Sequence, residues 1–317
     1  MKKISIIGAG PIGKGVLLPL FQSHGYEVTL LNRSKEKLNQ IKEGYTVNND
    51  GQSSKYCPNA VVSLEEATTL TPLIALAISS KALPAVLKFV GNTLQPSNNP
   101  YTLLICSNQM NVQQIVKKYF QENFSGVSFL QTIEIQQIIC CIGARNDSNG
   151  NDVVINTKHG CILLEKGHWM DTDINEFIAS DDIQADLTIK LCLINRLQLH
   201  LALLGKKKGY KTLGECFSDG YLMSEVIASY QEVISILKLR YPKAGISKKA
   251  QLYLLRVMNG KNEDIHRFLQ NIDKKLEPND RIELPIQIAK QIHYPIHHIQ
   301  SLRREALAYI KKERDIL

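Results

Sequence analysis

The residues with the clearest chemical potential stand near the amino terminus. Gly8-Ala9-Gly10-Pro11-Ile12-Gly13 sets three glycines at the spacing G-x-G-x-x-G. Before them runs an isoleucine-rich segment, Lys3 to Ile7, and after them a helical pattern of Val16, Leu17, Leu20 and Phe21. A second apolar run, Glu27 to Leu31, ends at Asn32-Arg33-Ser34. Strand, glycine turn, helix, strand is the opening of a dinucleotide-binding sheet. In such a turn the first glycine permits the bend, the second lets the backbone approach a pyrophosphate, and the third lets helix and strand pack closely. Gly8, Gly10 and Gly13 take those places, and Pro11 and Ile12 lead into a helix whose N–H groups and partial positive charge would face the phosphates.

The end of the second strand bears on which cofactor is held. An acidic residue there binds the ribose 2′-hydroxyl of NAD, whereas an arginine suits the 2′-phosphate of NADP. Asn32, Arg33 and Ser34 occupy the position, with Lys35 and Lys37 behind and no carboxylate. A guanidinium fork grips a phosphate, so NADP is favoured over NAD. The same charges also fit a solvated helix start. Ligands of open α/β sheets lie at the carboxyl ends of strands. Ser79, after the run ending at Ile78, and Asn108, in Ser107-Asn108-Gln109 after Ile105, are therefore candidates for the nicotinamide side, or else ordinary loop polarity.

These groups need a sheet to position them. Leu73 to Ile78 and Thr102 to Ile105 are continuous apolar runs, as buried parallel strands are. The pattern gives a helix from Ser34 to Glu43, a hairpin or excursion from Tyr45 to Asn59, a strand at Ala60–Val62, a short helix from Leu64 to Thr69, and helices at Lys81–Val90 and Val112–Phe120. Val127 to Glu165 reads as strands extending the sheet, with a turn between Asn146 and Asp152. From Asp171 the strand signal ends. Leu187–Leu204, Ser224–Leu239, Lys248–Met258, Asp264–Ile272, Arg281–Ile292 and Ile299–Lys311 read as helices. The fold class is α/β: an N-terminal Rossmann-type dinucleotide-binding domain with an extended sheet, 1–170, then an all-helical domain, 171–317.

Composition narrows the function. A chain of 317 residues has room for two cores, and 44% hydrophobic with 21% charged residues is ordinary for a folded protein. The net charge of +8 is scattered, without a basic stripe carrying interleaved aromatics, so anionic small molecules explain its sign better than nucleic acid. No apolar stretch reaches a membrane span, and the run after Met1-Lys2-Lys3 breaks at Gly8, too early for a signal core. Seven cysteines without a C-x-x-C read as reduced thiols of a cytoplasmic protein, with Cys140-Cys141 as core or strand residues. His293, His297 and His298 have helical spacing, but Pro295 interrupts the face, so no metal site is expected. Lys206 to Lys208 suit a helix C-terminus.

The order of these pieces resembles the polyol-specific long-chain dehydrogenases, the mannitol-1-phosphate 5-dehydrogenases most closely. GAGPIGKG is similar to that family's GAGNIGRG, GYEVTLLNRSKEKLNQIKEGYTV to its second strand and following helix, and LLICSNQM to its Cys-Glu-Asn-Met segment. Lys190-Leu-Cys-Leu-Ile-Asn195-Arg-Leu-Gln198 resembles its K-x4-N-x2-H helix, and LGKKKGYKTLGECFSDGYL the continuation. Lys274-Lys275-Leu276, with Asp280-Arg281 and Pro285, resembles its RKL…GDRL segment. A weaker resemblance, in Ala185-Asp186-Leu187, Lys190-Leu191 and Ser107-Asn108, is to ketopantoate reductases.

The resemblance implies hydride transfer between a substrate carbon and nicotinamide, with Lys190 as general acid/base and Asn195 orienting the substrate oxygen. An alcohol oxygen must lose or gain a proton as hydride moves, so a tunable base within hydrogen-bond reach is required. At about 100° per residue, positions 190, 195 and 198 fall within about 140° of helix arc. Three departures stand out. Gln198 replaces the family histidine and cannot shuttle a proton near neutrality. His200 lies about 200° further round and reads as packing. Gln136-Gln137 stand where the family has Asp-Arg. Arg267 matches a family arginine and is the substrate-binding candidate. The losses imply a changed substrate or lost catalysis. Three functions stay open: an NAD(P)-dependent oxidoreductase acting on a small, phosphorylated polyol or keto compound; a catalytically silent NAD(P)-binding sensor or interaction partner; and a ketopantoate-type 2-keto acid reductase. A monomer or homodimer, without nucleic-acid or membrane partners, is expected.

Overall fold

The computed structural model describes residues 2–97, 100–147, 149–167, 169–171 and 173–314. Met1, Ser148 in the expected turn, and 315–317 at the end of the expected helical domain lie outside the described residues. The chain divides into two compact units, Met1–Ile183 and Gln184–Leu317, rather than at 170/171.

The first unit contains β1 (Lys2–Ile7), β2 (Tyr26–Asn32), β3 (Tyr45–Asn49), β4 (Gln52–Tyr56), β5 (Ala60–Ser63), β6 (Leu73–Leu76), β7 (Thr102–Cys106), β8 (Glu134–Cys140), β9 (Gly143–Asn146), β10 (Val153–Asn156), β11 (Ile162–Glu165) and β12 (Phe177–Ser180). Its helices are α1 (Leu18–Ser23), α2 (Lys35–Lys42), α3 (Leu83–Thr93) and α4 (Val112–Asn123). The main sheet has the order β12-β11-β8-β7-β6-β1-β2-β5. From β5 to β8 every pairing is parallel.

Alternation along the strands builds two cores. Ile4, Ile6, Leu30, Leu104 and Ile138 join Val16, Leu20 and Phe21 of the first helix and Leu38 and Ile41 of α2. Ile7, Leu31, Ile74, Leu103 and Ile105 face the other way, onto Leu87 and Val90 of α3 and Val116 and Phe120 of α4. Strands buried on both faces are largely apolar along their length, which is why these runs are readable.

Several expectations are corrected. The strands between Val127 and Glu165 divide between two sheets: β8 and β11 extend the large one, whereas β9 and β10 form a four-stranded sheet with the hairpin β3–β4. The deciding contacts are remote, with Val153 opposite Val47. The hairpin itself turns at Asp50-Gly51, both at positive φ (52° and 92°), as a two-residue turn between right-twisted strands requires. Ser128–Thr132 is a short 3-10 turn, not strand. Leu64 to Thr69 forms no helix; the Ser63 hydroxyl donates to Glu66 at 2.7 Å and closes a turn. A strand does occur after Asp171: β12 pairs with β11, Phe177 opposite Ile162. Four residues of uneven burial carry too weak a pattern to announce it.

The second unit contains α5 (Ile183–Lys190), α6 (Arg196–Lys208), α7 (Leu213–Ser218), α8 (Gly220–Arg240), α9 (Ile246–Asn259), α10 (His266–Leu269), α11 (Glu283–Gln291) and α12 (Ile299–Arg314). A π turn, Leu191–Asn195, joins α5 to α6 in one helix of 26 residues. By length and composition alone this helix could cross a membrane, contrary to the sequence expectation. Its most apolar stretch is 94% buried inside the protein, as the central helix of a folded unit is. The helix expected from Asp264 to Ile272 is broken. Asn271 takes a left-handed φ of 52°, and Lys275 Nζ donates to the Phe268 and Gln270 carbonyls, ending α10. The α12 N-terminus is capped from α8: the Glu232 carboxylate accepts the N–H groups of His297 (2.7 Å) and Ile299 (2.6 Å).

Candidate active-site residues

The glycine turn follows β1 at the carboxyl edge of the sheet. Gly8 has φ +118°, a conformation L side chains rarely adopt, and a Cβ there would collide with the Ala77 carbonyl oxygen. A Cβ on Gly13 would collide with the Gly8 carbonyl oxygen. A Cβ on Gly10 would meet nothing within 4 Å. The turn is held by Gly8 N–H donating to Leu31 O (2.8 Å) and Lys14 N–H donating to Gly10 O (2.9 Å). The helix then opens with a π turn, Gly13–Leu17, in which Leu18 N–H reaches Gly13 O. β1 lies between β2 and β6, so the chain leaves it on one side and returns on the other. That reversal is the switch point at which open α/β sheets bind ligands. The chain thus offers a pyrophosphate a close-packed bend with open space over its middle glycine.

The neighbouring strand ends lie along the same edge. Asn32 is half-buried and Arg33 exposed after β2. Ser34 caps α2, its hydroxyl accepting Lys37 N–H at 3.3 Å. Lys35 is committed to Glu65 (3.5 Å) and Glu66 (2.9 Å). Arg33 has no carboxylate partner among the described residues. Ser79 follows β6 and is exposed; Asn108 is exposed in the loop after β7.

Two buried polar residues of β8 tie neighbouring segments to the sheet. Gln137 is 0% exposed and its Nε2 donates to the carbonyls of Ser107 (2.9 Å) and Gln109 (3.1 Å), fixing the loop that carries Asn108. Gln136 Nε2 donates to Glu165 O (2.8 Å) and Trp169 O (3.0 Å). The Glu165 carboxylate accepts Gln137 N–H (3.0 Å) and an amide proton of Gln113, and burial raises its pKa. Gln136-Gln137 is therefore tied into the sheet. Sequence reasoning missed Lys14. It is 3% exposed, with Nζ donating to Gly150 O (3.2 Å) and Asn151 O (2.6 Å), and it lies 5.6 Å from the centre of the Tyr45 ring. Burial lowers its pKa. Lys14 ties the glycine-turn helix to the turn between β9 and β10. The available signal was a lysine inside the otherwise small and apolar stretch Gly13-Lys14-Gly15-Val16.

In the helical unit, Lys190 is 6% exposed at the end of α5, Asn195 is half-buried and Gln198 buried. The π turn lies between the first two, its i→i+5 bond running from Arg196 N–H to Leu191 O. Five residues there complete roughly one turn. Asn195 consequently sits nearer the line of Lys190 than the arc of a regular α-helix gives, and π turns recur where helices carry function. Arg196 points into the core, donating from Nη2 to Ser229 Oγ at 2.7 Å, and burial lowers its pKa to about 10. His200 is 1% exposed, neither ring nitrogen has a hydrogen-bond partner, and burial, then the nearby Arg196 charge, lowers its pKa to about 3. Arg267 on α10 pairs with Glu263 at 2.7 Å and lies 4.9 Å from the centre of the Phe268 ring. Lys207 and Lys208 pair with Glu305 and Asp219. No group of three potential metal ligands occurs among the described residues.

The ketopantoate reductase PanE/ApbA family model matches residues 4–163, just over half of the chain. The chain belongs to this family. Membership makes it an oxidoreductase of the class that acts on CH–OH groups. Relatives include the mannitol-1-phosphate 5-dehydrogenase of Thermoanaerobacter pseudethanolicus, 23% identical over 328 residues, which span 92% of this chain and 82% of the relative. That of Lacticaseibacillus casei is 23% identical over 324 residues, spanning 90% and 81%. Among solved structures, Pseudomonas fluorescens mannitol 2-dehydrogenase, in ternary complex with NAD and D-mannitol, is 13% identical with a TM-score of 0.78, covering 98% of this chain and 79% of its own. Dimeric ketopantoate reductase from Staphylococcus aureus is 13% identical with a TM-score of 0.62, covering 98% and 99%. Both resemblances read from the residues are therefore found, and the fold is a Rossmann-type unit followed by a helical one.

Proposed function

We propose that the chain is an NADP-preferring oxidoreductase, moving hydride between the nicotinamide and a small phosphorylated polyol or keto compound. The observation that carries the reading is the bend at Gly8–Gly13, close-packed at its first and third glycines and open above its second. Gly8, Gly10, Pro11, Ile12 and Gly13 hold the pyrophosphate, and Ser79 and Asn108 border the nicotinamide. Asn32, Arg33 and Ser34 border the adenine ribose. Ser34 already serves as a helix cap, so the 2′-phosphate falls to Arg33, which is exposed and has no carboxylate partner among the described residues. When bound, the dinucleotide supplies or accepts the hydride. Lys190 gives or takes the proton on the substrate oxygen, Asn195 orients that oxygen, and Gln198 holds a substrate hydroxyl without moving a proton. Arg267 pairs with the substrate anion, exchanging part of its bond to Glu263. Seven cysteines without a C-x-x-C suit a reducing compartment, the cytoplasm.

The test is Lys190→Ala. Turnover should fall on the order of 10²-fold or more, the usual contribution of a general acid/base, while NADPH affinity is retained. Unchanged turnover would refute the assignment. The family match over 4–163 favours a second substrate class, a branched 2-keto acid, and turnover on such a compound would select it. Gln198 favours a third reading, cofactor binding without chemistry, marked by tight NADPH binding and silence on every substrate.

A further inference from the structure

We propose that Cys106 and Cys140 form an oxidisable thiol pair that takes a hydroperoxide as oxidant and closes to a reversible disulfide. Cys106 ends β7 and Cys140 ends β8, on neighbouring parallel strands. Cys106 stands opposite Ile138, so Cys140 is two residues further along and its side chain leaves the same face of the sheet. Both thiols pack against the core that holds Leu104 and Ile138. Their sulfurs lie 3.4 Å apart. A disulfide of about 2.05 Å needs an approach of about 1.4 Å. Both residues are the last of their strands.

Exposure assigns the order of events. Cys106 is half-buried and Cys140 is buried, so a peroxide reaches Cys106 first. The Cys106 sulfur attacks the distal peroxide oxygen, the O–O bond breaks, and a sulfenic acid forms with release of an alcohol, or of water from hydrogen peroxide. The Cys140 sulfur then attacks the sulfenic sulfur, the S–S bond forms, and the hydroxyl leaves with the Cys140 proton as water. Two thiols are oxidised by two electrons and the peroxide is reduced by two. The new bond lies directly before Ser107-Asn108-Gln109. Its consequence for turnover rests on the proposed function, which sets that loop beside the nicotinamide. Formation of the bond does not.

The experiment is peroxide treatment of the full-length protein, followed by non-reducing digestion and mass spectrometry. The expected product joins the peptides holding Cys106 and Cys140 with loss of two hydrogens, disappears with dithiothreitol, and is absent from Cys106→Ser and Cys140→Ser. Both thiols remaining open to alkylation, or Cys106 stopping at a sulfinic acid while Cys140 stays free, would overturn the proposal, and the wild-type digest decides this even if a variant fails to fold. Oxidation should lower wild-type turnover several-fold, with recovery in dithiothreitol. A joined protein with undiminished turnover would overturn the regulatory consequence. A joined protein with no turnover before or after treatment would leave the thiol pair standing and overturn the proposed function instead.

Discussion

Arg33 and His200 show how burial decides what a charged or titratable side chain can do. Arg33 is exposed and has no carboxylate partner among the described residues, so its guanidinium is available to a phosphate. A hydrogen-bonded charge contributes about 1.5–3 kcal/mol. Arg33→Ser should therefore weaken NADPH binding by roughly 10- to 100-fold and leave NADH nearly unchanged, as dye-competition titrations with each coenzyme would report. His200 is the opposite case. Its folded pKa of about 3 lies below the ordinary value of 6.5. Between those values the unfolded chain takes up a proton that the folded chain refuses, so stability falls as pH drops from about 6.5 towards 3. Above 6.5 both states are neutral and the effect vanishes. His200→Leu should flatten that acid limb in urea unfolding midpoints measured across the window; an unchanged slope would show that His200 does not carry it. His200 as a packing residue was legible from its helical angle. Lys14 was not, because its partners, the Gly150 and Asn151 carbonyls, are supplied by a turn remote in sequence.

Elements with a local cause were legible. The strand-turn-helix of the first residues follows from isoleucines, glycines and helical spacing, and the turn-rich stretch Tyr45 to Asn59, open between a hairpin and an excursion, holds the β3–β4 hairpin turning at Asp50-Gly51. What escaped depends on partners. Whether β10 joins the large or the small sheet is decided by its pairing with β3, and no periodicity encodes that choice. The π turn between Lys190 and Asn195 is invisible to a fixed angle per residue, yet it sets the angle between the two proposed site residues. At the glycine turn the element itself is testable. In Gly13→Ala the new methyl meets the Gly8 carbonyl oxygen, which is backbone and cannot rotate aside. The substitution should destabilise the protein by about 1–3 kcal/mol, as overpacking does, and abolish coenzyme binding. Guanidinium unfolding with and without NADPH reads both; a variant that folds and binds normally would show that the bend tolerates a side chain.

For the whole molecule, the sign of the net charge, the two cores and the family agree. A chain at +8 has the polarity to attract phosphorylated coenzymes and substrates. The family is shared with ketopantoate reductases and the relatives include mannitol-1-phosphate 5-dehydrogenases, while Gln198 and Gln136-Gln137 are where the resemblance to the latter breaks. Gln137 illustrates the limit of residue matching: at the place of a family charge it braces the β7 loop through two carbonyls. Coenzyme recognition comes before any choice of substrate, so the most direct measurement is titration calorimetry of the intact chain with NADPH and, separately, NADH. The expected result is saturable heat at one site per chain with both and tighter binding of NADPH; no heat from either coenzyme would contradict the account.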